Sequence, residues 1–408
     1  MSTFLFVVPP LVGHTAPTVA VAAELVARGH RVAWAGHPEV CEPLLPPGAE
    51  LHPAPGGGTG PTPEAARERA AGLRGLAALK FFWEEFQAPL TAAMLPGVDA
   101  AVAAVRPDVL VVDQQAPAGA VVAQWRGLPW VTSATTSAEC VDGTAVMPGL
   151  RDWVAQQAAA LPGWEPRWGD PRFSDRLVLL FTSRALAGPD RDFPPHYAFV
   201  GPCLPPDPST ADFPWDWLEA DPGTPVVLVS LGTVTRADGR RFLRTAVEAF
   251  ADSEPVQESW TPSPRLIVVA PDGLLDTPPG ARILCRPAVP QLALLAHLDA
   301  VVSHAGHNTV CETLAHGLPL VLAPIRDDQP VIAEQVVRAG AGIRVPYARV
   351  GPADLRDAVR TVLEDPAYRT AAEAVRGDLL AAGGAPAAAD RLEAAAPTSH
   401  RPCLLPGS

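Results

Sequence analysis

The chain has 408 residues, 48% of them hydrophobic, so it is long enough to form two domains that each bury a core. Its formal net charge of −13 argues against nucleic acid and anionic membranes as partners, because both attract basic surfaces. The N-terminus has no basic leader segment, and no apolar run approaches the roughly 18 residues of a membrane span. We therefore expect a cytoplasmic protein without stable membrane insertion.

The cysteines are widely spaced along the chain. They are Cys41, Cys140, Cys203, Cys285, Cys311 and Cys403. No CxxC or CxxH pair occurs among them, which favours free thiols in a reducing cytoplasm and gives no support to metal ligation.

Short apolar runs alternate with helical patterns along the first half of the chain. Buried strands are predicted at residues 4–8, 30–36, 108–113, 129–133, 176–181 and 197–200. Helices are predicted at residues 17–28, over most of 64–105, up to 126 and at 151–160. The segment PPLVGHT before residue 17 is predicted as a loop. This order predicts a Rossmann-like domain over residues 1–205.

The same pattern repeats after residues 206–224, a stretch rich in proline and acidic residues that is typical of a linker. Strands are predicted at residues 226–231, 265–270, 282–285, 298–303, 319–324 and 342–345. Helices are predicted at residues 308–315, 352–363 and 368–380. We predict a second Rossmann-like domain over residues 225–385 and a tail over residues 386–408 that packs back toward the first domain. The fold class is α/β, with two doubly wound domains facing across a cleft at the carboxyl ends of their sheets.

The most informative stretch, residues 302–329, reads VSHAGHNTVCETLAHGLPLVLAPIRDDQ. A buried run ends there in a turn containing His304 and Gly306, and a helical segment follows. Unpaired N–H groups and the dipole at a helix start attract anions, so this turn predicts a nucleoside diphosphate site. Glu312 lies about one turn into the helix, where its carboxylate could accept hydrogen bonds from sugar hydroxyls. The same pattern also fits an ordinary βαβ unit of an α/β core.

A candidate base follows the first strand. His14 lies beside Gly13 near the start of a helix, where the dipole favours the neutral imidazole that can take a proton from a hydroxyl. Asp113 ends a strand at the same sheet edge and could hold the other ring nitrogen. The alternative is a loop histidine and a strand-end cap. No GxGxxG follows the first strand, which disfavours a dinucleotide cofactor and a nicotinamide oxidoreductase.

Several motifs together resemble glycosyltransferase family 1, the GT-B group of actinomycete natural-product enzymes (antibiotic and macrolide-type) and plant UDP-sugar enzymes. The matching positions are Pro290-Gln291, His297, His304 to Thr309 (HAGHNT), Glu312, Gly317-Leu318-Pro319 and Asp328-Gln329 in the second half, and Gly13-His14 with Pro17, Phe199 to Pro202 (FVGP) and Ser230 to Thr233 (SLGT) elsewhere. The resemblance covers nearly the whole chain and is strongest over residues 290–342.

The resemblance implies a GT-B fold, a catalytic base at His14 and an orienting carboxylate at Asp113. It implies donor contacts at Ser230, Gly232, Thr233, Val289, Gln291, His304, Gly306, His307, Asn308, Thr309, Glu312, Asp328 and Gln329. In this scheme the residues around the 304–309 turn and the Ser230 loop hold the diphosphate, Glu312 binds the ribose, and Asp328 with Gln329 binds the sugar. The donor is a UDP- or dTDP-sugar, and neither a metal nor a further cofactor is expected.

Three positions depart from the family pattern. Ala288 stands where plant members carry a Trp that stacks on uracil, so the base would be read by backbone groups near Val289 and Gln291, and UDP versus dTDP stays open. His307 replaces a more usual Trp or Gly, and Ile332 stands where bacterial relatives often have Asn. Either change could alter the sugar preference.

The acceptor is expected to bind in the first domain. The predicted contacts are Trp83, Phe86, Thr135 and Trp153. An apolar pocket there would favour a hydrophobic aglycone such as a polyketide, although the aromatic residues fit a domain core at least as well.

The predicted function is therefore an inverting, metal-independent glycosyltransferase of the hexosyltransferase class that acts on a hydroxyl of a small natural product. A homodimer is compatible with the sequence. One alternative is a lipid or carotenoid glycosyltransferase, which should present a basic, aromatic membrane-docking face. Another is a catalytically silent partner that binds nucleotide sugars, which should lack His14 or Asp113.

Overall fold

The computed structural model describes residues 1–54, 69, 72–73, 75–140, 148–204, 213–232, 239–251, 263–271, 273 and 282–397. In this part of the chain the strands form two separate parallel sheets. The first sheet contains β1 (Thr3–Val7), β2 (Arg31–Gly36), β3 (Glu50–Pro53), β4 (Val109–Asp113), β5 (Trp130–Ala134), β6 (Val178–Leu180) and β7 (Tyr197–Phe199). The second contains β8 (Val226–Ser230), β9 (Arg265–Val269), β10 (Ile283–Arg286), β11 (Ala300–Ser303), β12 (Leu320–Leu322) and β13 (Gly342–Arg344).

Helices connect these parallel strands. In the first domain they are α1 (Val12–Ala27), α2 (Pro38–Cys41), α3 (Gly75–Phe81), α4 (Ala88–Val105), α5 (Ala118–Arg126), α6 (Pro148–Ala159) and α7 (Arg184–Ala187). In the remainder they are α8 (Trp215–Glu219), α9 (Arg240–Phe250), α10 (Gln291–Leu295), α11 (His307–Ala315), α12 (Gln329–Arg338), α13 (Pro352–Glu364), α14 (Pro366–Ala381) and α15 (Gly384–Ala395). The predicted two-domain α/β architecture is confirmed.

The strand order explains why the strands are apolar on both faces. The first sheet runs β3-β2-β1-β4-β5-β6-β7 and the second β10-β9-β8-β11-β12-β13. Phe4 and Phe6 belong to one core cluster of the first domain, whereas Leu5 and Val7 belong to another on the opposite face. Because helices cover both faces, alternate side chains of a strand enter different cores. Because the strands are parallel, all the strands of a sheet have their carboxyl ends at the same edge.

Helix α1 begins earlier than predicted. Residues 12–16 were expected in a loop before Pro17, but the helix begins at Val12 and Pro17 lies inside it. Pro17 has no N–H for the carbonyl of Gly13, four residues before it. That carbonyl instead accepts a hydrogen bond from Asn308 Nδ2 of the second domain, at 2.8 Å. The proline is tolerated because the acceptor that it leaves free is satisfied from outside the helix.

Helices α3 and α4 are joined by a π-helical turn, Phe82–Gln87, into one continuous helix. The Ala88 N–H donates to the Trp83 carbonyl, five residues back, directly before Pro89, which has no N–H. The helix from Gly75 to Val105 has 31 residues and is long and apolar enough to cross a membrane by length and composition, whereas the sequence analysis expected no apolar stretch of that length. Its inner side chains, including Met94 and Val98, are buried in the core of the first domain. The rest of the helix predicted from residue 64 lies largely outside the described residues.

The C-terminal helix α15 returns to the first domain. Ala388, Ala389 and Leu392 are buried in the same core cluster as Phe4. Arg28 forms ion pairs with Asp390 at 2.6 Å and Glu393 at 3.0 Å. The helix therefore ties the end of the described chain to the first domain.

Candidate functional site

The carboxyl edges of the two sheets face each other across a cleft. Besides the bond from Asn308 to Gly13, Thr136 Oγ1 donates to Asp328 Oδ2 at 2.6 Å and Ser137 Oγ donates to Gln335 Oε1 at 3.0 Å. All of these first-domain groups follow β1 or β5, and their partners lie in α11, in α12 or directly before it. The contacts place the two predicted half-sites against one another.

The structure brings His14 and Asp113 together as predicted from the parallel arrangement of β1 and β4. His14 lies in the first turn of α1, and Asp113 ends β4. His14 Nδ1 lies 2.9 Å from Oδ1 and 3.1 Å from Oδ2 of the carboxylate. Asp113 is fully buried, and its Oδ1 also accepts the Gln115 N–H at 2.8 Å. The buried carboxylate thus holds one ring nitrogen, while 16% of the histidine side chain stays exposed.

The charge of Asp113 decides the direction in which the pKa of His14 moves. Burial lowers the pKa of His14, but the charge and hydrogen bond of Asp113 outweigh it, and the pKa is raised above the ordinary 6.5. The sequence analysis expected the helix dipole to favour the neutral ring, so this expectation was wrong in direction. A carboxylate at hydrogen-bond distance is worth more than a partial charge at a helix end. The result is a stronger base that is neutral only above its raised pKa.

Thr135, predicted as an acceptor contact, lies beside His14. Its Oγ1 is 2.6 Å from His14 Nδ1 and donates to Asp113 Oδ2 at 3.0 Å. The side chain is almost completely buried, on the inner side of the imidazole. Thr135 therefore contacts the two predicted catalytic side chains.

In the second domain, His304 is held between two glycines. A Cβ added at Gly232 would lie 2.6 Å from His304 Cε1, and one at Gly306 would lie 2.6 Å from Nε2. Ala305, between the histidine and Gly306, adopts a left-handed φ of 69°. Backbone strain at a non-glycine residue is common where a turn positions a functional group. Both glycines are thus required by the close approach of the imidazole ring.

His304 and His307 are both buried and neutral. Burial lowers the pKa of His304 to about 4, against a hydrogen bond to the Ser230 backbone that raises it. Burial likewise lowers the pKa of His307 to about 4, and nearby His14 adds to this effect. Neither Nδ1 has a hydrogen-bond partner among the described residues. Two orphaned ring nitrogens beside one turn fit a ligand rich in oxygen atoms.

The start of α11 supplies further donors. Its first internal hydrogen bond runs from the Val310 N–H to the Gly306 carbonyl at 3.0 Å, which leaves the N–H groups of His307, Asn308 and Thr309 outside the helix ladder. Ser230 ends β8 directly beside Ser303 of β11, so its loop borders the same turn. Thr233, predicted to face the phosphates, lies outside the described residues. The arrangement suits a diphosphate, as the sequence predicted.

The carboxylate predicted to bind ribose already has one partner. Gln291 Nε2 donates to Glu312 Oε2 at 2.6 Å, and burial raises the pKa of Glu312 to about 7 although this bond lowers it. The Gln291 side chain is therefore directed at Glu312. The Gln291 N–H donates to the Val289 carbonyl at 2.9 Å, so the turn uses one of the backbone groups predicted to read the base.

Asp328 and Gln329, the two residues predicted to contact the sugar, already have hydrogen-bond partners within the protein. Burial raises the pKa of Asp328 to about 6, although its hydrogen bond with Thr136 opposes the shift. Gln329 Oε1 accepts the N–H groups of Ile325 at 2.8 Å and Arg326 at 3.1 Å. Only the Gln329 amide nitrogen remains for a ligand, because its oxygen holds the loop before α12.

The structure places the predicted acceptor aromatics in or against a core cluster of the first domain. Trp83 is 2% exposed and belongs to a core cluster, with the Arg172 guanidinium 5.2 Å from its ring centre. Trp83 is therefore a core residue, and its assignment as an acceptor contact was wrong. Phe86 and Trp153 are partly buried and pack against the same cluster. Both side chains lie at the margin of the cluster, Phe86 in the π-helical turn and Trp153 in α6.

A cavity of about 340 Å³ lies between α1 and α11. Most of its walls are apolar, and polar groups enter from one side only. The apolar walls include Ala16, Pro17, Leu204 and Leu292, and the polar groups are Asn308 and Glu312. Among the residues that the structure describes, no group of three or more His, Cys, Asp or Glu side chains is arranged to hold a metal ion.

The sequence analysis missed Thr136 and Ser137, which reach the second domain. The only signal was a run of hydroxyl residues, TSATTS, at the end of a buried strand. Polar residues at a carboxyl strand end border the cleft of a doubly wound fold, but their partners on the other domain cannot be read from one sequence.

Comparison with known proteins agrees with the architecture. Residues 268–394 match the family described as "Erythromycin biosynthesis protein CIII-like, C-terminal domain". The 4′-demethylrebeccamycin synthase of Lentzea aerocolonigenes is 29% identical over 416 aligned positions, covering 93% of this chain and 96% of that protein. The zeaxanthin glucosyltransferase of Pseudescherichia vulneris is 26% identical, covering 97% of this chain and 98% of that protein.

A solved structure gives the same result. The crystal structure of the glycosyltransferase of kitacinnamycin superimposes with a TM-score of 0.72 at 29% identity, covering 97% of this chain and 99% of that chain. Two facing Rossmann-like domains, similarity over nearly the full length and a matching C-terminal domain all agree. The protein is a glycosyltransferase with the GT-B fold, similar to the natural-product glycosyltransferases of actinomycetes.

Proposed function

We propose that the protein transfers a sugar from a UDP- or dTDP-sugar to a hydroxyl of a small hydrophobic natural product, with inversion and without a metal ion. The observation that carries this proposal is the His14–Asp113 pair, which lies across the cleft from the start of α11. A base and an anion site then flank the space in which acceptor and donor would meet.

In the proposed reaction, His14 Nε2 takes the proton of the acceptor hydroxyl while Asp113 stabilises the imidazolium that forms. The acceptor oxygen bonds to the anomeric carbon as the bond from that carbon to the diphosphate breaks. The nucleoside diphosphate leaves with both electrons of that bond. Attack from the first domain on a sugar held by the second inverts the anomeric configuration.

The leaving diphosphate gains negative charge at its bridging oxygen. The N–H groups at the start of α11 would stabilise that charge. Because these donors are fixed before the reaction, no reorganisation is needed as the charge develops. This support is the reason for proposing metal independence.

The proposed acceptor class follows from two kinds of observation. The relatives include a 4′-demethylrebeccamycin synthase, and the matching family model is described by erythromycin biosynthesis, so both names point to natural-product aglycones. The helix carrying Phe86 presents a partly buried aromatic margin to the first domain surface. A carotenoid acceptor is the second candidate, supported by the similarity to a zeaxanthin glucosyltransferase.

One experiment tests the whole proposal. The purified protein is incubated with a panel of UDP- and dTDP-sugars and with rebeccamycin-type, macrolide and carotenoid alcohols, with and without EDTA. We expect product with at least one donor, an anomeric configuration opposite to the donor by NMR, and the same rate in EDTA. Retention of configuration would contradict the single displacement, and loss of activity in EDTA restored by Mg²⁺ would contradict metal independence.

Replacing Glu312 with Ala should weaken the binding of UDP by roughly 10- to 100-fold, because a hydrogen bond to a charged group is lost. In the wild-type protein the affinity should rise with pH across about 7, since the pKa of Glu312 is raised to about 7 and its ionised form accepts hydrogen bonds best. Isothermal titration calorimetry at several pH values measures both effects.

The matched control is Glu334→Ala, at an exposed position on the same domain. That variant should bind UDP as the wild type does. An unaltered dissociation constant in Glu312→Ala, or the same pH dependence in Glu312→Gln, would refute the ribose assignment.

A further inference from the structure

We propose that Thr135 is a positioning residue, which acts by holding the imidazole of His14 and the carboxylate of Asp113 in one hydrogen-bonded unit. The proposal rests on the assignment of His14 as the base and departs from the expectation that Thr135 contacts the acceptor. It identifies a third side chain on which the proposed proton transfer depends.

The fold delivers Thr135 to this place. Strand β5 pairs with β4, and Asp113 lies opposite Ser133 in that register. Thr135 is the first residue after β5, so its side chain is carried past the carboxyl end of the sheet toward the aspartate. Only 3% of the residue is exposed, so its position is fixed by packing.

The hydrogen bonds can be satisfied in only one way. A threonine hydroxyl has one proton to donate, and an ionised carboxylate can only accept. If Thr135 donates that proton to Asp113 Oδ2 at 3.0 Å, then His14 Nδ1, 2.6 Å from Oγ1, must carry a proton of its own. Nδ1–H is then shared between Thr135 Oγ1 and Asp113 Oδ1.

This pattern fixes the tautomer of the neutral ring. With the proton on Nδ1, the lone pair of the neutral imidazole is on Nε2, which is the form that a general base requires. The opposite tautomer would leave Nδ1 and Asp113 Oδ2 competing for the single hydroxyl proton, since Oδ1 already accepts the Gln115 N–H. Thr135, as the second partner of Nδ1 beside Asp113, also limits rotation of the imidazole ring, because both hydrogen bonds are made on the same side of the ring.

The same accounting leaves Thr135 no proton to donate to the acceptor. The one proton of Thr135 is used by Asp113, and its oxygen faces Nδ1, on the inner side of the ring. A substrate hydroxyl at Nε2 would be on the far side of the imidazole. Thr135 should therefore influence the rate of transfer and leave acceptor affinity unchanged.

The test compares Thr135→Val, which removes the hydroxyl at similar size, with Thr135→Ser, which keeps it. We expect kcat to fall roughly 10- to 100-fold in Thr135→Val with the acceptor KM unchanged, and most of the rate to return in Thr135→Ser. The pH at which the wild-type rate reaches half its maximum should move in Thr135→Val, since the imidazolium has lost a partner. The Nδ1–H proton of His14 should give a downfield NMR signal in the wild type and in Thr135→Ser that shifts or broadens in Thr135→Val.

A double-mutant cycle separates this role from a general structural one. In an Asp113→Asn background, Thr135→Val should cost less than about twofold in kcat, because the unit that it supports is already broken. Thr135→Ala serves in place of Thr135→Val if melting or UDP binding shows that the valine variant is misfolded. A raised acceptor KM with unchanged kcat and pH profile would overturn the proposal and restore the acceptor role. If Thr135→Val matches the wild type while His14→Ala is inactive, this inference alone fails, whereas full activity in His14→Ala would overturn the base assignment itself.

Discussion

Replacing His14 with Ala should lower the rate of sugar transfer by about 10²- to 10⁴-fold while leaving the affinity for the nucleoside diphosphate unchanged. The loss is expected because the acceptor hydroxyl would have no group to take its proton. Donor affinity should be kept because His14 lies in the first domain, whereas the proposed phosphate contacts lie at the start of α11. Single-turnover transfer at saturating donor, together with UDP titration, measures the two quantities separately.

The pH profile gives a second, independent readout of the same residue. A base must be unprotonated to act, and Asp113 raises the pKa of His14 above 6.5, so the wild-type rate should rise with pH through a midpoint above that value. Asp113→Asn should lower this midpoint, because the charge that stabilises the imidazolium is removed. His52→Ala is the matched control, since His52 pairs with Glu50 on β3 at 3.0 Å and should leave transfer and its pH profile unchanged. Unchanged turnover in His14→Ala would refute the base assignment.

Local patterns in the sequence were sufficient to predict the meeting of His14 with Asp113 and every described strand except β3, which is short and lacks an apolar run. Each buried strand is a short apolar run between turn signals, and parallel strands place their carboxyl ends at one edge. A residue that follows β1 and one that ends β4 must therefore be close once these strands are neighbours. That inference needs strand order but no knowledge of side-chain packing.

Positions whose role depends on packing or on the other domain could not be predicted in this way. Trp83 carries the same aromatic signal whether it lines a pocket or fills a core, and only the structure shows that this residue of the π-helical turn is buried. The side chain of Asn308 was linked to a phosphate turn by its motif, but it donates to the carbonyl that Pro17 leaves free in α1. These two partners are 295 positions apart in the sequence, so no local pattern reports them.

Gly306→Ala should weaken donor binding roughly 5- to 150-fold, the range that corresponds to the usual cost of overpacking a tight site. The added Cβ would lie 2.6 Å from His304 Nε2 and 2.8 Å from Cε1, so the imidazole must leave its place between the two glycines. His304 would then no longer direct its ring toward the start of α11. Transfer at saturating donor should change much less than the dissociation constant, because the base lies in the other domain.

A control variant and a double-mutant cycle show whether Gly306→Ala weakens donor binding through His304. Gly377→Ala, in α14 with no atom within 4 Å of its added Cβ, should leave UDP affinity unchanged and should not lower the melting temperature. If His304 is the group displaced, Gly306→Ala should add little to the loss already caused by His304→Ala, because one contact cannot be lost twice. Additive losses would mean that Gly306 acts through the helix start itself, and wild-type UDP affinity in Gly306→Ala would mean that the ring between the glycines does not hold the phosphates.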